Sequence, residues 1–238
     1  MKPLVLAVQF MTRLPLPAIN AAERDFARAI RWFPIAGAVV GMCIAGAAWA
    51  GALHDPWAGA LAALLAWVAI TGSLHLDGLG DIADASGAAH QDRERISAVL
   101  ADPHIGSFGV TAIGLQLIAK LVLLRLAIET TTSLALLAVP IAARIGPLVW
   151  TLTLPPLHPG MGSTFGAGAT WPICAIWIAG LFSISFALSS PGLLACLPAM
   201  AIWALWLRRR IGGISGDGHG AGIEVTETAM LAALVFLS

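Results

Sequence analysis

The sequence predicts an all-α protein, a polytopic integral membrane helical bundle, and three observations carry that expectation. Hydrophobic residues make up 58% of the 238-residue chain and charged residues only 11%, against about a quarter charged in an ordinary soluble domain. Mean hydropathy is +0.86. The apolar residues fall into segments close to the roughly 20 residues that cross a bilayer as a helix, so the lipid bilayer is the expected surroundings. Net charge is zero, which gives nucleic acid no electrostatic footing as a partner. Cys43, Cys174 and Cys196 lie singly within apolar segments, a pattern that fits neither a zinc site nor a disulfide framework. With no internal repeat and no long hydrophilic block, residues 1–238 read as a single membrane-embedded domain.

In chain order, residues 4–11 form a short apolar run behind Lys2 and ahead of Arg13 and two prolines. Without a small-residue cleavage site this reads as a short interfacial helix and not as a signal peptide. Residues 12–33 are polar and end at Trp32-Phe33-Pro34, aromatics suited to a membrane interface. The first span covers 34–53, where Gly37 and Gly41 form a small-xxx-small face. Such a face lets another helix approach closely, and it is a candidate surface for a homo-oligomer. Further spans at 56–75, 109–128, 134–154, 171–189, 191–207 and 222–238 bring the expected number to about seven. Placing the N-terminus in the cytoplasm puts Arg13, Arg24, Arg28, Arg31, Arg93, Arg95 and Arg208 to Arg210 inside. The opposite loops, near 54–56, 129–133 and 189–191, hold no Lys or Arg, as the positive-inside rule requires.

The second span delivers TGSLHLDGLGDIADASG, residues 71–87, with Asp77, Asp81 and Asp84 and no Lys or Arg among them. At helical pitch the three acids share one stripe of the helix face. Such a row repels itself, more strongly beside lipid, and is favoured with a hard cation on it, magnesium or manganese. Asp77 and Asp84 stand roughly 10 Å apart along the axis, too far to share one ion, so sharing falls to neighbouring acids. Against this stands a plain solvated acidic face. Gly78 and Gly80 weaken a helix by about 1 kcal/mol each, which leaves Asp77 as a cap for a helix that begins after it. His75, one turn earlier, is a candidate base or substrate contact, or an ordinary interfacial residue.

Lys120, Arg125 and Arg144 fall within apolar spans, where a charge is costly and therefore informative. Facing a cavity they are candidates to grip a diphosphate; Lys120 and Arg125 can equally snorkel or pair with Glu129. The stretch IGGISGDGHGAG, residues 211–222, places six glycines, Gly216 among them, around Ser215, Asp217 and His219. That backbone can approach phosphate, and Asp217 can complete a metal site with the acidic row. In DPHIGSFG, Asp102 precedes Gly106 and Gly109 at a helix start, a candidate anion cradle or a plain cap and turn. Glu224 and Glu227 open the last span and complement the positive end of its dipole.

The stretches LHLDGLGDIADASG, DPHIGSFGV and GGISGDGHGA, with FMTRLPLP and FPIAGAVVG before them, resemble the cobalamin synthase family, adenosylcobinamide-GDP ribazoletransferase, over nearly the whole chain. That family typically reads LHLDGLADTADG, DSRIGTFG and GGITGDTLGA. The resemblance implies that Asp77, Asp81 and Asp84 bind magnesium and that His75, Asp102, Ser215 and Asp217 belong to the site, with Arg144 as the family's mid-chain arginine. It implies a transferase at the cytoplasmic side of a bacterial inner membrane, joining adenosylcobinamide-GDP to α-ribazole or its 5′-phosphate and releasing GMP. Pro103-His104 stands where Ser-Arg is usual, so His104 replaces a phosphate-binding cation only when protonated, and activity is expected to fall as pH rises. Two rivals are a CDP-alcohol phosphotransferase, whose Ala-Arg after Asp-Gly is missing here, and an ion-coupled transporter, whose paired inverted halves are not visible.

Overall fold

The computed structural model describes residues 1–88, 93–130, 133–157 and 164–237. Parts of the predicted 76–108 and 129–133 loops, and the last residue of the predicted 222–238 span, lie outside these. The architecture is helical, and the one extended pairing among the described residues is an isolated bridge between Pro156 and Ile214. Among the described residues twelve α-helices follow one another: α1 (Lys2–Met11), α2 (Glu23–Ala29), α3 (Phe33–Ala52), α4 (Pro56–Thr71), α5 (Leu74–Ala88) and α6 (Arg93–Leu100), then α7 (Ser107–Thr130), α8 (Ser133–Ala143), α9 (Gly146–Thr153), α10 (Trp171–Ala187), α11 (Cys196–Arg210) and α12 (Gly216–Phe236).

The helical membrane class holds, but the span count does not. Among the described residues four continuous segments are long and apolar enough to cross a bilayer: Glu23–Ala52, Ser107–Thr130, Leu134–Thr153 and Pro191–Arg210. The number reaches five if α4 and the bent helix after it are counted as one. Two of the seven expected spans fail for physical reasons. α10 has only 17 residues. α12 is a core helix, buried along most of its length, and carries Asp217, Glu224 and Glu227 where other helices surround it instead of lipid.

The predicted second span ends early. Asp55 caps α4 by accepting from the N–H groups of Trp57 (2.7 Å) and Ala58 (3.3 Å), and Pro56 fits the first turn because its missing N–H has no partner to lose. Gly72 and Ser73, both at φ 60°, then close the helix in the left-handed region. Glycine adopts that conformation freely, whereas Ser73 is strained by about 1–3 kcal/mol. The chain leaves at 83°, so α5 runs across the direction of α4 and packs beside α7.

Gly37 and Gly41 do permit a close approach, but to α8 of the same chain. A Cβ on Gly37 would strike the Pro140 carbonyl, and one on Gly41 that of Leu137. The surface expected to join two copies is therefore filled from within, by α8.

Candidate active site

The N-terminal arm sets the elbow between α4 and α5. Arg13 donates its backbone N–H to the Ile70 carbonyl at 2.8 Å, and its side chain lies so close over Gly72 that no Cβ fits between them. Asp77 then donates its N–H to the Ser73 carbonyl at 2.8 Å, which starts α5 before the acids and not after Asp77. Gly78 and Gly80 stand inside this helix because packing outweighs propensity. A Cβ on Gly78 would lie 2.9 Å from the Asp217 backbone, and one on Gly80 3.1 Å from Ile105 and Ile113.

That contact joins the acidic row to the glycine-rich stretch. Ser215 caps α12, its Oγ accepting from the Gly218 N–H at 3.0 Å, and its hydroxyl donates to Asp217 Oδ2 at 3.4 Å. Burial, then the charges of Asp217, Asp77 and Asp84, push the Asp81 carboxyl up to about 6. The four carboxylates thus act on one another electrostatically. They are not closed into a cage: among the described residues no group of three or more His, Cys, Asp or Glu side chains is placed to hold a metal. The donor chemistry nevertheless suits a hard divalent cation, because Asp77, Asp81 and Asp217 are oxygen donors whose mutual repulsion an ion relieves.

Asp84 has a different part. Its Oδ2 accepts from the Gly106 N–H at 2.7 Å and its Oδ1 from the Gly109 N–H at 2.9 Å. Of the two readings of DPHIGSFG the structure shows the cap: the anion at this helix start is the protein's own carboxylate. Both oxygens serve the start of α7, which gives Asp84 a structural part beside its expected place in the ligand set. Asp102 and His104 pair with each other at the surface, Nδ1 to Oδ1 at 2.7 Å, and the ring hydrogen bond holds the Asp102 carboxyl below its usual range.

The cations expected on a diphosphate are engaged elsewhere. Lys120 reaches Glu224 and Glu227, each at 2.7 Å, and Arg144 reaches Glu227 at 2.9 Å, with all four side chains buried. Lys120 also lies 4.0 Å from the centre of the Trp67 ring, and Gln116 donates to Glu224 at 2.8 Å. Arg125 pairs with Glu129 at 2.5 Å and stands about 27 Å down α7 from its first turn, by the helical rise. Glu224 and Glu227 are the residues that sequence reasoning undervalued. The signal was available: cations buried in apolar spans need counter-ions at matching depth, and these are the acids that the last helix offers.

His75 points into the bundle at 3% exposure, with no hydrogen-bond partner at either ring nitrogen. Of the glycines in 211–222, Gly220 admits the His75 backbone, Gly222 admits Trp150 and Trp203, and Gly213 admits the Pro155 carbonyl. These serve packing. Gly216, next to Asp217, has open space before it.

Fold and site together define a polytopic helical membrane protein with a carboxylate cluster at one end of its bundle. The profile of the cobalamin-5-phosphate synthase family matches residues 3–235. An adenosylcobinamide-GDP ribazoletransferase of Novosphingobium aromaticivorans is 56% identical, covering 97% of this chain and 95% of its own. Those of Laribacter hongkongensis and Thiobacillus denitrificans are 48% and 46% identical, covering 97% of this chain and 95% and 94% of their own. No solved structure matches. The chain belongs to the cobalamin-5-phosphate synthase family and is a transferase of cobalamin biosynthesis.

Proposed function

We propose that the chain joins adenosylcobinamide-GDP to α-ribazole, or to its 5′-phosphate, in a magnesium-dependent transfer at the cytoplasmic side of a bacterial inner membrane. The relatives named above are adenosylcobinamide-GDP ribazoletransferases, and the present sequence matches them from end to end. The ribose 3′-hydroxyl forms a bond to the phosphorus on the cobinamide side of the diphosphate, the bond to the GMP oxygen breaks, and the hydroxyl proton passes to a base. Asp77, Asp81 and Asp217 would hold the ion, which supplies Lewis-acid neutralisation of the diphosphate oxygens. Asp84 keeps the start of α7 beside these acids, and Ser215 orients Asp217. The proton is taken by a carboxylate of the cluster or by His75.

One observation supports this reading above the others: the missing side chain of Gly78 lets Asp217 meet the acidic helix, and that approach brings an acid from the far end of the sequence to the row. The test is to incubate membranes containing the chain with adenosylcobinamide-GDP and α-ribazole, with magnesium or with chelator, and to measure GMP. Release is expected only with both substrates and the ion. GMP formed at the same rate in chelator would remove the metal, and GMP formed without α-ribazole would remove the acceptor.

A further inference from the structure

A diphosphate brings negative charge to a place already crowded with carboxylates. Asp81 feels the charges of Asp217, Asp77 and Asp84, and a divalent ion offsets fewer charges than those acids and a diphosphate present together. Lys120, Arg125 and Arg144, the cations expected to make up the difference, are paired with Glu224, Glu227 and Glu129.

Another cation is fixed to the acidic helix itself. Arg210, the last residue of α11, donates from Nη2 to the Ser86 carbonyl at 3.1 Å, across 124 residues of sequence. Ser86 lies in the final turn of α5, where carbonyls lack partners within the helix and the dipole end is negative. Capping accounts for that bond, yet the bond uses one of the five N–H donors that a guanidinium carries. The residue is exposed, and its planar fork is the form that suits phosphate oxygens. Arg210 also closes the apolar segment Pro191–Arg210, and positive charge at the end of a span is ordinary. Arg208 and Arg209 fit that account. Arg210 is set apart by its bond to the helix that carries the acids.

Its connection to Asp217 is short and held at each step. Gly212, at φ 95°, turns the chain out of α11 while its N–H donates to the Leu207 carbonyl at 2.8 Å. The Ile214 N–H donates to the Pro155 carbonyl, and the Leu157 N–H to the Ile214 carbonyl, both at 2.9 Å. Ser215 then caps α12, and the Asp217 backbone meets Gly78. The segment from Arg210 to Asp217 thus touches α5 at two points, Ser86 and Gly78. Asp81 lies between them, roughly 7.5 Å along the axis from Ser86 by helical rise. That separation suits one substrate with a group at the ion and a second phosphate further along the same molecule.

We propose that Arg210 is a substrate-binding residue of the transfer, whose guanidinium, anchored on Ser86, takes a phosphate other than the one attacked. Two substrates carry such a group: adenosylcobinamide-GDP, in the GMP side of its diphosphate, and α-ribazole 5′-phosphate. The inference rests on the substrates named under the proposed function and deepens that reading by supplying a cation it lacks.

The experiment measures equilibrium binding of adenosylcobinamide-GDP, α-ribazole 5′-phosphate and α-ribazole, each alone, to the full chain in lipid nanodiscs with magnesium. Wild type is compared with Arg210→Ala, Arg210→Lys and Arg209→Ala. Arg210→Ala is expected to weaken a phosphorylated ligand about tenfold, the loss of one charge-assisted contact at an exposed site, and to leave α-ribazole unchanged. Arg210→Lys keeps the charge without the fork and should recover part of the loss, while Arg209→Ala should match wild type. A loss confined to adenosylcobinamide-GDP assigns Arg210 to the diphosphate, and one confined to α-ribazole 5′-phosphate assigns it to the acceptor. Unchanged affinity for both phosphorylated ligands overturns the proposal. So does equal weakening of all three ligands, which is what loss of a helix cap on α5 would give. Binding is read without turnover. A wild type that binds through Arg210 yet forms no GMP would therefore sink the proposed reaction and not the arginine.

Discussion

Asp84 and Gly106 are joined by a 2.7 Å hydrogen bond from the glycine N–H to Oδ2, across 22 residues of sequence. With the second bond from Gly109, a carboxylate of one helix caps the N-terminus of another. The first N–H groups of a helix have no partner within it, and its positive dipole end favours a negative charge. Both glycines are required, because a Cβ at either would run into that carboxylate.

Asp84→Ala should therefore cost about 1 kcal/mol of stability, as the loss of a helix cap does. Gly109→Ala should expel the carboxylate with the same outcome. Neither should change the magnesium concentration that gives half-maximal GMP release, whereas Asp81→Asn should raise it at least several-fold. A magnesium titration of the three variants checks this, and equal shifts in all three would return Asp84 to the ion.

Asp81 gives a pH signature. Its carboxyl sits at about 6 in the folded chain against an ordinary 3.8, so the folded state holds this proton more tightly than the unfolded state. By linkage, its contribution is fully favourable below about pH 4 and is lost as pH rises through 6. In chelator, the melting temperature of wild type relative to Asp81→Asn should fall across that window. Magnesium should restore the difference above pH 6. A wild-type curve that rises relative to the variant between pH 4 and 6 would contradict the carboxylate cluster.

The buried ions predict a stability effect. Lys120→Met strands Glu224 and Glu227 beside a single remaining cation, and breaking one partner of a buried pair costs about 3–5 kcal/mol. Lys120→Met combined with Glu224→Gln should recover part of that loss. Thermal unfolding in detergent distinguishes this network from a substrate clamp, for which Lys120→Met would alter KM while the melting temperature stayed put.

Gly78→Ala forces a methyl group into the Asp217 backbone and should lower kcat by at least about tenfold, since a shift of about 1 Å at a reacting centre is that costly. The control is Gly114→Ala in α7, where a Cβ meets nothing. There the change should stabilise the helix by about 0.5–1 kcal/mol and leave turnover intact.

The helical membrane class, the acidic helix and its meeting with Asp217 were legible because hydropathy and charge are carried by single residues. What pairs with what was not. Lys120 and Arg144 look alike as substrate cations until Glu227, 107 and 83 residues away, is seen to neutralise both. DPHIGSFG reads as a cradle or a cap at a helix start, yet nothing local says that Asp84 supplies the carboxylate. The count of spans failed for a related reason: hydropathy measures transfer to lipid, and α12 exchanges lipid for other helices. Gly37 and Gly41 announce close packing without naming the partner, which proved to be α8.

The left-handed pair Gly72–Ser73 carries a consequence for the length of the chain. Each residue of an α-helix turns the next side chain by about 100°. Adding or deleting one residue between Thr71 and Leu74 would rotate Asp77 and Asp81 away from Asp217, and His75 out of the interior, without altering any of those side chains. Register at this corner is thus as much a determinant of chemistry as residue identity, and insertional scanning should find it intolerant of any spacer.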